Sequence, residues 1–383
     1  NKTTGIATII RSKCPTEDKT LQISGDINID TFPYKVDTIE EEAFFGCEHL
    51  VGDLTIPDSI TFIGYKAFAN CGFTGSLTFN APVDIDASLF SGSDKWTGSL
   101  TIGNKVPSIG DRAFEGLFLN GKSLSIGSGV KSIGSMAFYG CKFSTSETIT
   151  IPSNVEKVGG QFLAYVTGSK NLDLQATIPV LSQISMLGLE SFETLKISHT
   201  KALGENCLMG YKNFKTITVE NCEKFLNFAF ANTSFDQDLV ISSEVIEIKQ
   251  GAFAFSSWSG SLTINAKVDE IDPSVFSGAR FGGSKLTITN VKSIGARAFE
   301  NCFTNVVTVS LGTIEKFGSM AFYGCKLDII IIPSQTSQIG RAAFHGAKAN
   351  ELSLDTNLDA TNSTWFEGKN EINRLILGSK ITK

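Results

Sequence analysis

Apolar residues recur along this chain with two periods at once. A short alternating triplet, aliphatic then polar then aliphatic, appears as Leu54-Thr55-Ile56, Leu100-Thr101-Ile102, Leu262-Thr263-Ile264 and Leu286-Thr287-Ile288. Period two places both aliphatics on one side of a strand. About ten residues before each triplet stands an aromatic slot, filled in turn by Phe44, Phe68, Phe90, Phe114, Phe138, Phe162, Leu189, Leu208, Phe230, Phe253, Phe276, Phe299, Phe322, Phe344 and Phe366. Five residues before most of these lies another apolar residue, as in Ile63, Ile109, Ile133, Leu203, Phe225, Ile248, Ile271, Ile294, Phe317 and Ile339. One such unit cannot bury its own apolar face, so the pattern predicts units stacked strand on strand, at about 4.8 Å per strand, around a tube of Leu, Ile and Phe.

From Phe44 to Phe366 is 322 residues in fourteen steps, a mean of 23, which falls inside the range of leucine-rich repeats. The predicted fold is therefore a repeat solenoid, a leucine-rich-repeat right-handed superhelix or horseshoe with a parallel β-sheet of about 15 repeats of about 23 residues. Residues 1–38 read as an N-terminal cap with the first strand, and 39–383 as the array. A longer period lies over the short one. Ser132-Ile133-Gly134-Ser135-Met136-Ala137-Phe138-Tyr139-Gly140-Cys141-Lys142 returns nearly unchanged from Lys316 to Lys326, an offset of 184, so a block of eight units is duplicated with an offset near 185. The centre, 155–235, is irregular, with steps of 27, 19 and 22 between aromatic slots.

The unit I-G-x-x-A-F-x-G/N-C followed by L-T-I, sometimes with Pro, resembles the BspA-like leucine-rich-repeat surface proteins of bacteria and protozoa. The match is close at Ala43 to Cys47, Ala67 to Cys71, Ala137 to Cys141, Ala298 to Cys302 and Ala321 to Cys325, while Leu189 and Leu208 replace the Phe and several units lack the Cys. The resemblance implies a surface-displayed protein engaged in adhesion to host matrix and host cells.

Composition narrows the function without naming it. Apolar residues make up 42% and charged residues 19%, and 29 Phe against 6 Tyr and 3 Trp fits one recurring buried slot. Net charge is −6 and the cations form no run, so the footprint of a nucleic-acid binder is missing. No stretch of 18 apolar residues occurs, so no direct membrane insertion by this segment is expected. The chain opens at Asn1-Lys2-Thr3 without an initiator Met and stops just after Leu375-Ile376-Leu377, which reads as an excised fragment with any signal or anchor outside it.

Chemistry is sparse. Three histidines, His49, His199 and His345, have no convergent partners, and no nucleophile elbow, phosphate loop or zinc motif is present, so no catalytic residue, metal or cofactor is assigned. Five of eight cysteines share the slot after the Phe and read as a core ladder, with Cys47–Cys71 and Cys302–Cys325 the pairs that stacking brings nearest. Asp26-Ile27-Asn28-Ile29-Asp30 has oxygen ligands at alternate positions, but Thr31 stands where a calcium loop needs Gly, and the segment reads as a strand edge following the strand-like Leu21-Gln22-Ile23. Trp96 and Trp258 take equivalent places and read as packing beneath the turn. Asn1-Lys2-Thr3, Asn232-Thr233-Ser234 and Asn362-Ser363-Thr364 are sequons compatible with secretion.

If the triplet aliphatics face the tube, the middle residues form an outward column that includes Thr55, Thr101, Asp173, Lys196, Val240, Thr263, Thr287, Thr308 and Ile331, beside a second column of Ser and Thr. The structural reading is β-propensity and cross-strand hydroxyl pairing. The functional reading is a flat face for multivalent adhesion to a protein, matrix or glycan ligand, with Val306, Ile329 and Ile331 as an apolar patch. The expectation is a cell-surface or extracellular binding module and not an enzyme. The alternatives are a self-associating surface spacer without a host ligand and an intracellular leucine-rich-repeat scaffold.

Overall fold

The computed structural model describes residues 5–11, 13–29, 32–145, 148–305, 307–354, 364–365 and 371–377. The chain divides into two compact units, one of Asn1–Pro179, Ile184–Thr200 and Thr218–Glu220, the other of Val180–Gln183, Lys201–Ile217 and Asn221–Lys383. Each is a β-solenoid of stacked turns.

In the first unit the triplets become strands, and Leu54–Ile56, Leu77–Phe79, Leu100–Ile102 and Leu124–Ile126 pair in parallel, residue on equivalent residue. Leu54 and Ile56 are fully buried while Thr55 between them is exposed, as alternation requires. Thr148–Ile151, Asn171–Leu174 and Thr194–Ser198 continue the motif in register. A second wall, not foreseen as strands, is built from two-residue ladders at the apolar position five before the Phe, or four in the Phe162 unit: Ser108–Ile109, Ser132–Ile133 and Lys157–Val158. At the N-terminus Gly5–Ile9 lies parallel and Asp26–Ile29 antiparallel to Phe32–Ile39. Asp26–Ile29 is thus an edge strand, as its alternation suggested, whereas Leu21-Gln22-Ile23 is not a strand.

The second unit repeats the plan with longer strands. Seven parallel strands run in the order Leu239–Ile241, Leu262–Ile264, Lys285–Ile288, Val307–Leu311, Lys326–Ile332, Lys348–Leu354 and Glu371–Leu377. Two-residue ladders from Ala202–Leu203 to Gln338–Ile339 form the second wall, and Ser234–Phe235, Ser257–Trp258 and Arg280–Phe281 a third.

Among the described residues the segment around each Phe slot contains no strand, yet it is hydrogen-bonded from turn to turn. Backbone N–H groups of Glu42, Phe44 and Gly46 donate to the carbonyls of Tyr65, Ala67 and Ala69, while those of Ala43, Phe45 and Cys47 donate to carbonyls three residues back. This division of alternate N–H groups is achieved by alternating backbone handedness. Residues two before and two after the Phe have positive φ, as in Lys66 (52°) and Asn70 (54°) or Arg297 (57°) and Asn301 (56°). A residue with a Cβ in that region costs about 1–2 kcal/mol and glycine nearly nothing, which is why the motif reads Gly or Asn after the Phe.

Inside these turns the rings stack. Phe68, Phe90, Phe114 and Phe138 follow one another at centroid distances of 5.7, 6.0 and 5.6 Å, and Phe230, Phe253, Phe276, Phe299 and Phe322 at 4.9, 5.1, 5.1 and 5.0 Å. A second row packs beside the first, with Phe73, Trp96 and Phe118 at 5.1 and 5.7 Å and Phe235 against Trp258 at 4.4 Å. Both tryptophans are 1% exposed, the structural role the sequence assigned them.

Replacing the fully buried Phe276 by Ala should lower the unfolding free energy by about 3–5 kcal/mol in chemical denaturation; a loss below about 1 kcal/mol would show that the stack contributes little. Gly140 has φ +70° and open space where a Cβ would stand. Gly140→Ala therefore isolates the backbone term, and a loss of about 1–2 kcal/mol is expected.

Candidate functional site

The outward face of the seven-stranded sheet carries exposed Val240, Ile329 and Ile331 in the second unit. Its central column reads Val240, Thr263, Thr287, Ser310, Ile331, Ser353, Ile376, as strand pairing dictates. Thr308 is not in that column. Leu286 pairs with Val309 and Thr287 with Ser310, so Val307–Leu311 is shifted by two residues from the sequence alignment and Thr308 sits opposite Lys285 in the neighbouring column. The alternation Val307-Thr308-Val309-Ser310-Leu311 fits either register, and pairing extends to the later one. Thr308 still faces outward, exposed between the buried Val307 and Val309.

The next strand carries a bulge, because Val307 pairs with Leu327 but Val309 with Ile330. The extra residue breaks the alternation between buried Leu327 and buried Ile330, then restores it, leaving both Ile329 and Ile331 outward at 37% and 57% exposure. Their border is polar: Asn350 donates to Asp328 at 2.7 Å, Asn373 to Asn350 at 3.0 Å, and Arg374 pairs with Glu351 at 3.1 Å. Val240 stands apart at the first strand, 64% exposed. Val306 lies outside the described residues.

In the first unit the equivalent columns are hydroxylic and charged. The neighbouring column is tied together internally, with Ser76 N–H donating to Asp53, Ser99 N–H to Ser76 Oγ, and Ser123 Oγ to Ser99 Oγ at 2.7 Å. Asp173 lies opposite Lys196 across adjacent strands, but Lys196 pairs with Glu220 at 3.1 Å and holds that carboxyl below its usual range. Asp173 Oδ2 accepts from Gln175 Nε2 at 2.7 Å while its Oδ1 is buried without a hydrogen-bond partner.

The family model for the BspA type leucine rich repeat region matches over residues 18–144, 83–200, 143–258, 189–305 and 270–383. This chain belongs to the BspA-type leucine-rich-repeat family. Among solved structures it is similar to a leucine-rich repeat protein from Bacteroides ovatus ATCC 8483 (20% identity, covering 92% of this chain and 91% of that one, TM-score 0.48). It is also similar to the pneumococcal vaccine antigen PcpA (14%, 99% and 95%, TM-score 0.35) and to a leucine rich cell surface protein from Faecalibacterium prausnitzii A2-165 (15%, 93% and 88%, TM-score 0.31). No curated protein matches the chain in sequence.

The cysteine slot of this BspA-type array has a physical explanation that spacing alone did not reveal. The thiols of Cys71, Cys141, Cys302 and Cys325 donate to the carbonyls of Phe44, Phe114, Phe276 and Phe299, each one turn back, at 3.0, 3.1, 2.7 and 2.9 Å. Ser93 Oγ makes the same bond to Phe68 at 2.8 Å. Burial pushes the thiols of Cys71, Cys141 and Cys325 up to about 12, and those of Cys207, Cys222 and Cys302 are also raised.

Cys47 departs from the ladder. It forms a disulfide with Cys14, across 33 residues, and neither Cys47–Cys71 nor Cys302–Cys325 is bridged. Cys14 lies outside the repeat, so the repeat pattern gave no sign of it. His49 pairs with Asp18 at 3.0 Å on the exposed rim beside this bridge, and His345 stacks on Tyr323 at 4.9 Å. Among the described residues no group of three or more His, Cys, Asp or Glu is placed to hold a metal, and no helix is long and apolar enough to cross a membrane.

The raised thiols predict alkylation behaviour. Native protein in iodoacetamide at about pH 8 should leave all six free cysteines unlabelled by mass spectrometry, and all six should react in denaturant; rapid native labelling of Cys141 would contradict the described packing. A thiol kept protonated by burial contributes its full stability below the ordinary thiol range and loses it as pH rises from there towards 12, so the wild type should lose more stability above about pH 9 than Cys141→Ser.

Proposed function

We propose that this chain is a surface-exposed or secreted binding module, not a catalyst, that recognises a host protein, matrix or glycan ligand through the open face of its parallel sheet. The observation that carries the reading is the exposed Ile329 and Ile331 pair, which share one face on either side of buried Ile330 and are bordered by the Asp328, Asn350 and Asn373 ladder. Large apolar side chains clustered on a flat, otherwise polar face are what an interface centre needs, since desolvating them on contact supplies affinity while the polar rim fixes orientation. On the same sheet Thr263, Thr287, Ser310 and Ser353 offer an uncharged hydroxyl surround suited to many small contacts.

Two further observations support the surface location. BspA-type membership, on the resemblance stated above, implies surface display, and a Cys14–Cys47 disulfide forms and persists in an oxidising compartment. The same Ile pair also fits self-association, and oligomerisation is therefore measured alongside binding.

Purified chain should bind immobilised host matrix proteins or intact host cells, and Ile329→Ser/Ile331→Ser should weaken that binding at least about tenfold with an unchanged circular dichroism spectrum. Binding that survives the double variant would remove the sheet patch from the interaction. A folded protein that binds no surface but sediments as a concentration-dependent oligomer, lost in the double variant, would replace adhesion with a spacer role.

A further inference from the structure

Two aromatic rings in the second unit stand where the fold disfavours them. Phe228 and Phe255 occupy left-handed positions of successive turns, with φ of 57° and 56°, and leave 42% and 66% of their surface in solvent. These are the positions before and after the buried ring that most turns fill with Gly, Asn or another small or polar residue. Neither local conformation nor burial in the core accounts for a bulky side chain there. The backbone beneath is nonetheless shaped to receive them. A Cβ on Gly251 would collide with the Phe228 ring, and one on Gly278 would stand 2.6 Å from Phe255 Cδ1. Each ring lies over a glycine of the following turn with its outer face open.

Asn232 stands one turn before Phe255 in the stack. It holds, one turn earlier, the same position as Phe255, and its N–H donates to the carbonyl of Ala254 at 2.9 Å. Side chains at this position lean towards the next turn, as Asn70 does over Gly92 and Asn301 over Gly324. The exposed Asn232 is thus followed, in the direction its neighbours' side chains take, by the open ring of Phe255. Its Oδ1 accepts a hydrogen bond from Lys212 Nζ at 3.0 Å, which orients the amide and leaves Nδ2 as the outward nitrogen. Asn232-Thr233-Ser234 is also one of the sequons of this chain.

We propose that Asn232 is an N-glycosylation site whose first sugar, an N-acetylglucosamine, packs on the open face of Phe255. The modification forms a bond from Asn232 Nδ2 to C1 of the sugar and breaks the bond from C1 to the pyrophosphate of a lipid-linked oligosaccharide. The pyrophosphate leaves with the bonding pair and the amide proton is released. The chair of N-acetylglucosamine, with its substituents equatorial, presents axial C–H bonds to the electron-rich face of an aromatic ring. The sugar covers apolar surface that the protein leaves open, and the Lys212 hydrogen bond persists because the acylated nitrogen keeps its carbonyl oxygen. The inference rests on the surface or secreted reading, since the donor lipid works in a secretory lumen.

The full chain is expressed behind a heterologous secretion leader in a eukaryotic cell line, with a co-expressed glycoprotein as control. Supplying the leader separates failure of this site from failure of the localisation reading. Mass spectrometry should find glycan on the Asn232 peptide, and trimming to a single N-acetylglucosamine should keep the melting temperature about 2 °C above that of the protein made with Ser234→Ala, which lacks the sequon. Phe255→Gly, which restores the residue most turns carry, should remain glycosylated and lose that difference. An unmodified Asn232 beside a modified control overturns the site. Equal gains with and without the Phe255 ring overturn the stacking, as would a large fall in melting temperature of unglycosylated Phe255→Gly, which would make the ring a packing element.

Discussion

Everything in this molecule depends on each turn giving its outward backbone hydrogen bonds to the next. In the strands this is ordinary parallel pairing, but around the Phe slot it is achieved by residues of alternating handedness, whose N–H groups point in turn along the stack and back into the turn. That alternation holds consecutive turns at one spacing, and the spacing lets the rings stack at about 5–6 Å and the Cys or Ser side chain reach the carbonyl one turn back. A residue inserted between two such slots would break the hydrogen-bond, ring and thiol ladders together. The irregular steps between Phe162 and Phe230, where Leu replaces the ring, fall where the chain separates into two compact units.

Because the stack alone fixes the backbone, the outward positions are released from structural duty. The same position is Thr in one strand, Val in another and Ile in a third without change of pairing. Surface chemistry therefore varies locally: tied hydroxyls and a Lys196–Glu220 pair in the first unit, an isoleucine pair framed by amides in the second. The bulge in Lys326–Ile332 sets Asp328 and Ile329 together between buried Leu327 and Ile330, and Lys348–Leu354 follows it with Asn350 and Glu351 between buried Ala349 and Leu352.

Most of the fold was legible because its signal is repetition. Phe at a step of 23 and L-T-I triplets identify the buried face directly, and burial agrees at Leu54, Ile56, Phe68 and their equivalents. What escaped the sequence were features outside the repeat or degenerate within it. Cys14 precedes the first Phe slot and has no equivalent in the units, so its bond to Cys47 left no periodic trace. Val307-Thr308-Val309-Ser310-Leu311 alternates so evenly that two registers fit, and only the partner strand chooses. The short ladders of the second wall were missed because two residues carry too little alternation to read as strands, although their apolar member was located. Of the candidate surface, the outward course of Ile329, Ile331, Asp173 and Lys196 followed from period two, whereas their salt bridges and amide ladders depend on side chains one turn away, 22 to 24 residues off in sequence.

We read the recurrence of Ser132–Lys142 at Lys316–Lys326 as a block duplication, which has a consequence at the level of the gene. Its offset of 184 to 186 residues is a whole number of turns, so both ends of the copied block fell on the same phase of the ladder. Unequal recombination between such units creates a junction whose every contact is one the protein already makes. Array length in proteins of this design is thus close to neutral for folding, and a lineage can lengthen or shorten its reach by gene slippage while selection acts separately on the side chains facing outward.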